Sequence, residues 1–298
     1  MVGTPPDAFA PGDFAHPTRL YLTRPGAPSI MGSAREGSMP LVENKTKLKL
    51  KNNELALGFG VHHLRTGATA MLAAAADHDW LFIDMEHGAH SVHEAAQLCI
   101  AALPTGVTPI VRICAGALDE GTRCLDNGAL GVIVPHVDTA ERAKEIARAF
   151  RYPPLGTRSW GGPPAAYGFR APGNAEAQAA LNEAVLVVAM IESPQAVGNA
   201  QAIAAVEGID CLLIGTSDLT AEMGISGQID HPRVAEAYEK VGAACRASGK
   251  ALGMGGVYDK ETASRYIKAG ARMVLSGSDH TYLLAGATAR SEVLRGVV

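Results

Sequence analysis

The sequence has no long apolar run and no marked excess of charge of either sign. None of its apolar stretches approaches the ~20 residues that a membrane-spanning helix needs. The net charge of -4 over 298 residues offers no electrostatic attraction for nucleic acid or anionic lipid. The first residues also lack the continuous apolar core of a secretory signal. We therefore expect a cytoplasmic protein that binds neither nucleic acid nor a membrane.

Cysteine is scarce, and the histidines do not have the spacing of a zinc finger. The five cysteines are odd in number, form no CxxC pair and lie partly in apolar runs. This usage is typical of small buried side chains in a reducing compartment. The ten histidines are scattered, so no structural zinc site is expected.

Residues 1–48 lack a periodic apolar pattern and contain seven prolines. Such a composition is typical of a disordered leader. The same composition is expected if translation starts later than assigned, at Met31 or Met39. A docking arm stays open as an alternative. We predict that residues 49–298 form the folded domain.

Eight apolar runs alternate with helical patterns along residues 55–298, mostly at intervals of about 20 to 30 residues, as βα units require. Eight such units predict a (β/α)8 TIM barrel. A doubly wound sheet would need a switch in strand order, which spacing does not test, so that alternative stays open. The eight runs are 55–61, 80–85, 109–113, 131–137, 185–192, 211–214, 251–257 and 272–276. The clearest helices are 91–103, 139–150, 194–206 and 232–248.

Residues 151–184 interrupt this rhythm between the fourth and fifth runs. They contain Pro-Pro and Gly-Gly-Pro-Pro stretches and several aromatic residues. Long connections in compact domains are usually functional or disordered. We expect this connection to leave the C-terminal end of a strand and to form a lid or an element between subunits.

Two carboxylates follow consecutive runs. Glu192 ends the fifth run and Asp218 comes shortly after the sixth. The carboxyl ends of neighbouring barrel strands converge on one face, where such enzymes keep their chemistry. Carboxylates brought together there repel unless a cation lies between them or one takes up a proton. The pattern predicts a divalent metal site.

The second run ends in a cluster of ionisable residues. Alternation along a strand places Asp84 and Glu86 on one face, with His87 just beyond the end. A histidine there can exchange a proton near neutral pH. The alternative for a single histidine is a hydrogen-bonded residue with no chemical role. Because His87 follows two carboxylates at a strand end, we favour an acid–base role.

Two further features of the sequence could bind an anion. Arg112 closes the third run, and a buried guanidinium is costly unless it faces an anion, such as a substrate carboxylate, an enolate or one of the acids above. The turn of Gly215, Thr216 and Ser217 could bind a carboxylate through its backbone amides. No lysine lies at the end of a run, so a Schiff-base mechanism lacks its nucleophile.

Three stretches together resemble the HpcH/HpaI aldolase family, the class II pyruvate-type aldolases related to citrate lyase β subunits. The resemblance covers residues 55 to 298. The stretches are Asp-Trp-Leu-Phe-Ile-Asp-Met-Glu-His at 79–87, Arg-Tyr-Pro-Pro-Leu-Gly-Thr-Arg at 151–158, and Val-Glu-Gly-Ile-Asp at 206–210 leading to Ile-Gly-Thr-Ser-Asp-Leu at 214–219.

The resemblance implies a set of roles at the barrel mouth. Glu192 and Asp218 would hold Mg²⁺, Mn²⁺ or Co²⁺, and a 2-oxo acid would complete its coordination. His87 would be the acid–base, oriented by Asp126, and Arg112 would stabilise the enolate oxygen. Asp84 and Glu86 would hold water molecules of the metal ion.

The same resemblance implies assembly and activity. The C-terminal segment 280–298 would form a helix that packs on a neighbouring subunit of a homo-oligomer, a trimer or hexamer. The implied reaction is the cleavage or formation of a 4-hydroxy-2-oxo acid, giving pyruvate or a related 2-oxo acid plus an aldehyde through a metal-bound enolate. Three positions depart from the family pattern, namely His136, Met190 and Thr216.

Two alternatives stay open. A CoA-thioester lyase of the citrate or malyl type would need a basic patch for the CoA phosphates. Residues 151–184 offer only Arg151, Arg158 and Arg170 for it. A barrel that binds a 2-oxo acid without turnover would not need His87 as a base.

Overall fold

The computed structural model describes residues 38–297. Within them, eight parallel strands form a closed barrel in which each strand pairs with the next and the eighth pairs with the first. The predicted TIM barrel is confirmed, and closure rules out the doubly wound sheet. The strands are β1 Ala56–Val61, β2 Trp80–Asp84, β3 Thr108–Arg112, β4 Gly131–Val134, β5 Leu186–Ile191, β6 Cys211–Gly215, β7 Ala251–Gly255 and β8 Ala271–Ser278.

Twelve α-helices within the described residues surround the barrel, close one end or continue from a strand. None of them is both long and apolar enough to cross a membrane. They are α1 Lys45–Lys51, α2 Ala68–Ala75, α3 Val92–Ala102, α4 Leu118–Asp126, α5 Ala140–Phe150, α6 Asn174–Ala184, α7 Pro194–Gly198, α8 Ala200–Ala204, α9 Thr216–Glu222, α10 Pro232–Ser248, α11 Lys260–Lys268 and α12 Asp279–Arg295.

The barrel has an inner and an outer apolar layer, and β2 shows how its sequence serves both. Trp80 and Phe82 belong to the cluster inside the barrel, whereas Leu81 and Ile83 belong to the cluster beneath the helices. This two-residue alternation places Asp84 on the inner face, beyond Phe82. The strand therefore delivers a carboxylate to the mouth of the barrel.

Helix α1 closes the end of the barrel where the strands begin. The Asn44 side chain donates to the carbonyl oxygens of Leu130 and Ala184, each at 2.9 Å. Lys47 Nζ donates to the carbonyl of Val185 at 2.8 Å. The predicted domain boundary at residue 48 falls inside this helix, and the compact unit that holds the barrel begins at Ser38. Residues 1–37 of the expected leader lie outside the described residues.

Residues 151–184 do not leave the end of a strand, so that part of the expectation was wrong. The segment follows α5, which carries the chain back from β4, and it returns through α6 to the start of β5. The amides of Met39 and Val42 donate to the carbonyls of Arg170 and Ala166, at 2.6 and 2.9 Å. The segment therefore packs beside the chain that leads into α1.

Two predicted elements are shorter because single residues interrupt them. β4 ends at Val134 because His136 takes a left-handed conformation, with φ of 53°, which a strand does not accommodate. The helix expected over 194–206 is two helices, α7 and α8, separated by Asn199. The Asn199 side chain donates to the carbonyl of Asp138 at 2.7 Å, outside both helices.

Candidate active site

The carboxyl ends of the strands surround a cavity of about 250 Å³. The residues predicted to carry the chemistry meet in its wall. Seven of the ten predicted site residues line it, namely His87, Arg112, Glu192, Gly215, Thr216, Ser217 and Asp218. The other three are Asp84, Glu86 and Asp126.

Asp84 and Arg112 form a buried ion pair beneath the cavity. They are register partners on β2 and β3. Arg112 Nε lies 3.0 Å from Asp84 Oδ1, and Nη2 lies 2.6 Å from Oδ2. Burial alone would raise the pKa of Asp84, but the hydrogen bonds and positive charge of Arg112 outweigh it, so the pKa is lowered from its usual 3.8. Asp84 is thus ionised at neutral pH and fixes the guanidinium.

Asp84 also shapes the turn that carries the predicted base. Its Oδ1 accepts from the backbone amides of Glu86 and His87, at 3.0 and 3.2 Å. Its Oδ2 lies 3.3 Å from His62 Nε2. Because these contacts occupy both oxygens, Asp84 acts in this chain by positioning Arg112 and His87.

Glu86 also contacts Arg112. Its Oε2 lies 3.2 Å from Arg112 Nη1, and its Oε1 lies 4.0 Å from His136 Nε2. Asp84 and Glu86 therefore share one side of the barrel, as strand alternation predicted. The role of Asp84 and Glu86 in holding water molecules of a metal ion stays a prediction.

Glu192 and Asp218 stand on neighbouring strand ends. β5 and β6 pair through Ile191 and Ile214, so the residues that follow them enter the same part of the cavity. Glu192 is only 2% exposed and accepts a hydrogen bond from the His136 amide at 2.9 Å. Its pKa is raised to about 7, chiefly by burial and in smaller part by the negative charge of Asp218.

The turn after β6 is the first turn of a helix. Gly215 leaves the space that the Glu192 carboxylate fills, because a Cβ at this position would lie 2.5 Å from Glu192 Oε1. The hydroxyl of Thr216 binds that of Tyr238 at 2.8 Å, so its side chain is engaged away from the cavity. The amides of α9's first turn have no partner within the helix, which suits the predicted carboxylate contact.

The donor set fits a divalent cation. Glu192 and Asp218 supply the oxygen ligands that Mg²⁺ and Mn²⁺ prefer. Burial raises the pKa of Glu192 more than the nearby His136 and Arg112 lower it. Among residues 38–297, no group of three His, Cys, Asp or Glu side chains has metal-binding geometry. The protein would therefore supply two ligands and leave the other positions to substrate and water.

Asp126 makes no contact with His87 within the described residues, and the orienting role that the resemblance implied stays a prediction. It lies in the last turn of α4, where its carboxylate accepts from Arg158 Nη2 at 2.6 Å. No hydrogen bond or ion pair connects it with His87 in the described part of the chain. α4 ends just before β4 begins, whereas His87 follows the end of β2.

The sequence analysis assigned no role at the site to four residues that lie at or just after strand ends like the others. His62 follows β1, Tyr258 follows β7 and Ser278 ends β8, and all three line the cavity. His136 follows β4, and its Nδ1 lies 3.5 Å from Glu192 Oε2. Applying the strand-end rule to every strand would have found them.

Comparison with known proteins decides the family. A sequence model described as HpcH/HpaI aldolase/citrate lyase matches residues 64–285. The chain belongs to the HpcH/HpaI aldolase/citrate lyase family. The resemblance and the prediction of a carbon–carbon lyase are both confirmed.

Individual members of the HpcH/HpaI family support this assignment. A 4-hydroxy-4-methyl-2-oxoglutarate aldolase of Chaetomium globosum is 37% identical, over 72% of this chain and 81% of its own. A 2-keto-3-deoxy-L-rhamnonate aldolase of Salmonella gallinarum is 35% identical, over 80% of this chain and 88% of its own. The crystal structure of an HpcH/HpaI aldolase from Desulfitobacterium hafniense superposes with a TM-score of 0.78 at 31% identity, covering 84% of this chain and 96% of that one.

The structure and the relatives do not favour the CoA-thioester lyase. Two of the three arginines that could have bound CoA phosphates are buried in structural contacts. Arg151 binds Asp210 at 2.6 Å, and Arg158 binds Asp126 at 2.6 Å. Neither arginine lines the cavity.

Proposed function

We propose that this protein is a divalent-metal-dependent aldolase that cleaves or forms a 4-hydroxy-2-oxo acid, with pyruvate or a related 2-oxo acid as one product. The observation that carries the proposal is the meeting of Glu192, Asp218, Arg112 and His87 around one cavity. The names of both curated relatives denote acids with a 4-hydroxy-2-oxo unit. A barrel that only binds such an acid would not need a histidine in this position.

Glu192 and Asp218 would hold the metal ion, Mg²⁺, Mn²⁺ or Co²⁺. When bound, such an ion supplies a Lewis acid that polarises the 2-oxo group and accepts negative charge. Glu192 must bind as the carboxylate, so the proton favoured by its raised pKa has to leave first. Gly215 keeps the space beside that carboxylate open.

His87 would transfer the proton. It is exposed at the cavity, and its amide is tied to Asp84. In cleavage, the imidazole takes the proton of the C4 hydroxyl, the C3–C4 bond breaks, and its electron pair forms the enolate of the 2-oxo acid. The protonated imidazole then returns the proton to C3.

Arg112 would stabilise the negative charge that develops on the enolate oxygen. Asp84 holds the guanidinium at the cavity wall through two hydrogen bonds, so little reorganisation is needed during the reaction. The amides at the start of α9 would bind the carboxylate of the 2-oxo acid. In this arrangement Ser217 and Gly215 contribute backbone rather than side-chain contacts.

The protein would act as a homo-oligomer, a trimer or hexamer, in which α12 packs on a neighbouring copy. Leu283 and Leu294 are 61% and 60% exposed. They lie about three turns apart on one face of the helix. An apolar helix face of this kind is usually covered by another protein surface, and a second copy of this chain is the occupant we propose.

The test is exchange of the C3 protons of pyruvate into D₂O, followed by NMR. Protein treated with EDTA should show no exchange, and added Mn²⁺ or Mg²⁺ should restore it. This measurement needs no knowledge of the aldehyde. Exchange that is undiminished by EDTA, or absent with every divalent metal, would contradict the proposal.

A further inference from the structure

A second cavity, of about 600 Å³, lies at the end of the barrel where the strands begin. Its wall is formed by α1, by the end of α10 and by the first residues of β5 and β7. Within the described residues, it shares no lining side chain with the cavity at the carboxyl ends of the strands. Its volume falls in the range of about 300 to 1,000 Å³ that is typical of small-molecule sites. None of its residues has a role in the proposed function.

This second cavity is strongly basic, although the chain as a whole carries a net charge of -4. Five of its lining residues are lysine or arginine, and one is aspartate. The cations are those of Lys47, Lys51, Arg246, Lys250 and Arg272, and the carboxylate is that of Asp210. Such an excess of positive charge in a concave wall raises the local concentration of anions.

The carboxylates near this cavity do not remove the excess of positive charge. Asp210 is shared between two cations, because its Oδ1 lies 2.9 Å from Lys47 Nζ and its Oδ2 lies 2.6 Å from Arg151 Nη2. Lys51 Nζ lies 3.9 Å from Glu183 Oε2, with both side chains exposed. An exposed pair of this length contributes little. The group around Asp210 therefore keeps a net positive charge.

The other three cations of the cavity have no carboxylate partner among residues 38–297. Arg272 Nη1 donates to the carbonyl of Ile267 at 2.7 Å, and Arg246 Nη1 donates to that of Ala269 at 3.4 Å. The Lys250 side chain is half-buried and has no hydrogen-bond partner in the described chain. The two carbonyls belong to the end of α11, whose dipole offsets only part of a full charge.

The guanidinium of Arg246 lies along the wall of the cavity. A Cβ added at Gly242 or at Gly270 would lie 3.3 or 3.7 Å from Arg246 Nη1, and both glycines line the cavity. Among residues 38–297, neither Nε nor Nη2 of Arg246 has a hydrogen-bond partner. These N–H groups, together with the ammonium of Lys250, are available to a ligand.

Part of the wall is apolar. Leu186 and Leu252 lie at the starts of β5 and β7, and Leu50 lies on α1. All three line the cavity. A ligand could therefore place an uncharged part against these leucines while its charged part meets the cations.

We propose that this second cavity binds an anion with at least two linked phosphate groups, either an inorganic diphosphate or a nucleoside diphosphate. Such an anion carries about three negative charges at neutral pH, which suits a wall where cations outnumber carboxylates five to one. Guanidinium and ammonium groups are the side chains that bind phosphate oxygens best. Binding there does not depend on the proposed aldolase activity.

The test is calorimetric titration of inorganic pyrophosphate into EDTA-treated protein in about 0.15 M NaCl, which screens non-specific attraction. One pyrophosphate should bind per chain of the wild type. In Arg246→Gln/Lys250→Gln its affinity should fall at least about tenfold, the loss expected when hydrogen bonds to a charged group are removed.

The matched control is Arg123→Gln/Lys240→Gln, which removes the same charge from exposed positions outside the cavity. It should keep the wild-type affinity for pyrophosphate within about twofold. Both double variants should keep the circular dichroism spectrum of the wild type, which excludes misfolding as the cause of a loss.

Two further ligands define the chemical class. ADP that binds more tightly than pyrophosphate would identify a nucleotide, whose uncharged part contacts the leucines, and ADP that does not would identify the inorganic diphosphate. Malonate, with two carboxylates, should bind at least about tenfold more weakly than pyrophosphate. The inference would be overturned by no binding of pyrophosphate to the wild type, by equal losses in the two double variants, or by malonate binding as tightly as pyrophosphate.

Discussion

Arg112 holds both carboxylate oxygens of Asp84, with Nε 3.0 Å from Oδ1 and Nη2 2.6 Å from Oδ2. Both side chains are buried, and the guanidinium lies 4.9 Å from the centroid of the Phe82 ring. A buried pair of this kind is costly to form, but it is more costly to break, because either partner alone is a buried charge without compensation. The pair therefore fixes the position of Arg112 at the cavity wall.

Removing Arg112 should destabilise the protein as well as inactivate it. We expect Arg112→Met to lower the free energy of unfolding by about 3–5 kcal/mol, since it leaves Asp84 buried and unpaired. Urea denaturation measures this change. Arg123→Met, at an exposed position on α4, should change it by less than about 0.5 kcal/mol. Equal effects of the two substitutions would show that the ion pair is not stabilising.

The lowered pKa of Asp84 makes stability depend on pH in the acid range. A carboxyl with a pKa lowered from 3.8 in the folded state stabilises the protein fully above that value, and the contribution is lost as pH falls through the lower value. Between about pH 6 and about pH 3, the wild type should therefore lose more stability than Asp84→Asn. Asp119→Asn, which is exposed, should keep the wild-type slope.

His87→Gln should impair the chemistry more than binding. We expect the rate of aldol cleavage to fall about 10²- to 10⁴-fold, the contribution of a positioned acid–base. Pyruvate binding, measured by calorimetry in the presence of Mn²⁺, should change by less than about threefold. The His93→Gln control should have wild-type rates. If rate and affinity fell together, His87 would be a binding residue.

Gly215→Ala should disrupt the metal site without removing a ligand. The new Cβ would lie 2.5 Å from Glu192 Oε1, so the carboxylate has to move. Mn²⁺ affinity, measured by calorimetry, should fall at least about tenfold. This loss of Mn²⁺ affinity should approach the loss caused by Glu192→Gln.

Gly198→Ala is the matched control for this substitution. Nothing lies within 4 Å of the added Cβ at this position. It should preserve Mn²⁺ affinity. Normal affinity in Gly215→Ala would mean that Glu192 is not a ligand in the position described.

The exposed face of α12 should control assembly. We expect the wild type to have the mass of a trimer or hexamer of its 30.9 kDa chain in light scattering. Leu283→Ser/Leu294→Ser should give smaller species. Glu292→Ser, on the opposite side of the same helix, should leave the mass unchanged. A wild-type monomer would contradict the proposed oligomer.

Much of the site could be predicted because it follows local rules. Glu192, Asp218, Arg112 and His87 each end or follow an apolar run, and parallel strands of a barrel bring such positions to one face. Their residue types then indicate metal binding, charge stabilisation and proton transfer. The same reasoning placed the barrel strands to within a few residues.

The misplaced elements depend on longer-range contacts. No local pattern shows that α1 closes the barrel, because Asn44 and Lys47 bind carbonyls of residues far along the chain. The left-handed backbone of His136 ended β4 early, although its sequence reads as strand. The orienting role of Asp126 came from a resemblance, and it stays a prediction.

The sequence by itself determined the barrel, its family and the residues able to carry the chemistry, because alternation, spacing and side-chain type act over a few positions. Only the tertiary structure decided how those residues are used. It committed Asp84 to Arg112, raised the pKa of Glu192 by burying it, and gathered His62, His63 and His280 around Asp279. Burial and distances between strands arise only when the barrel closes.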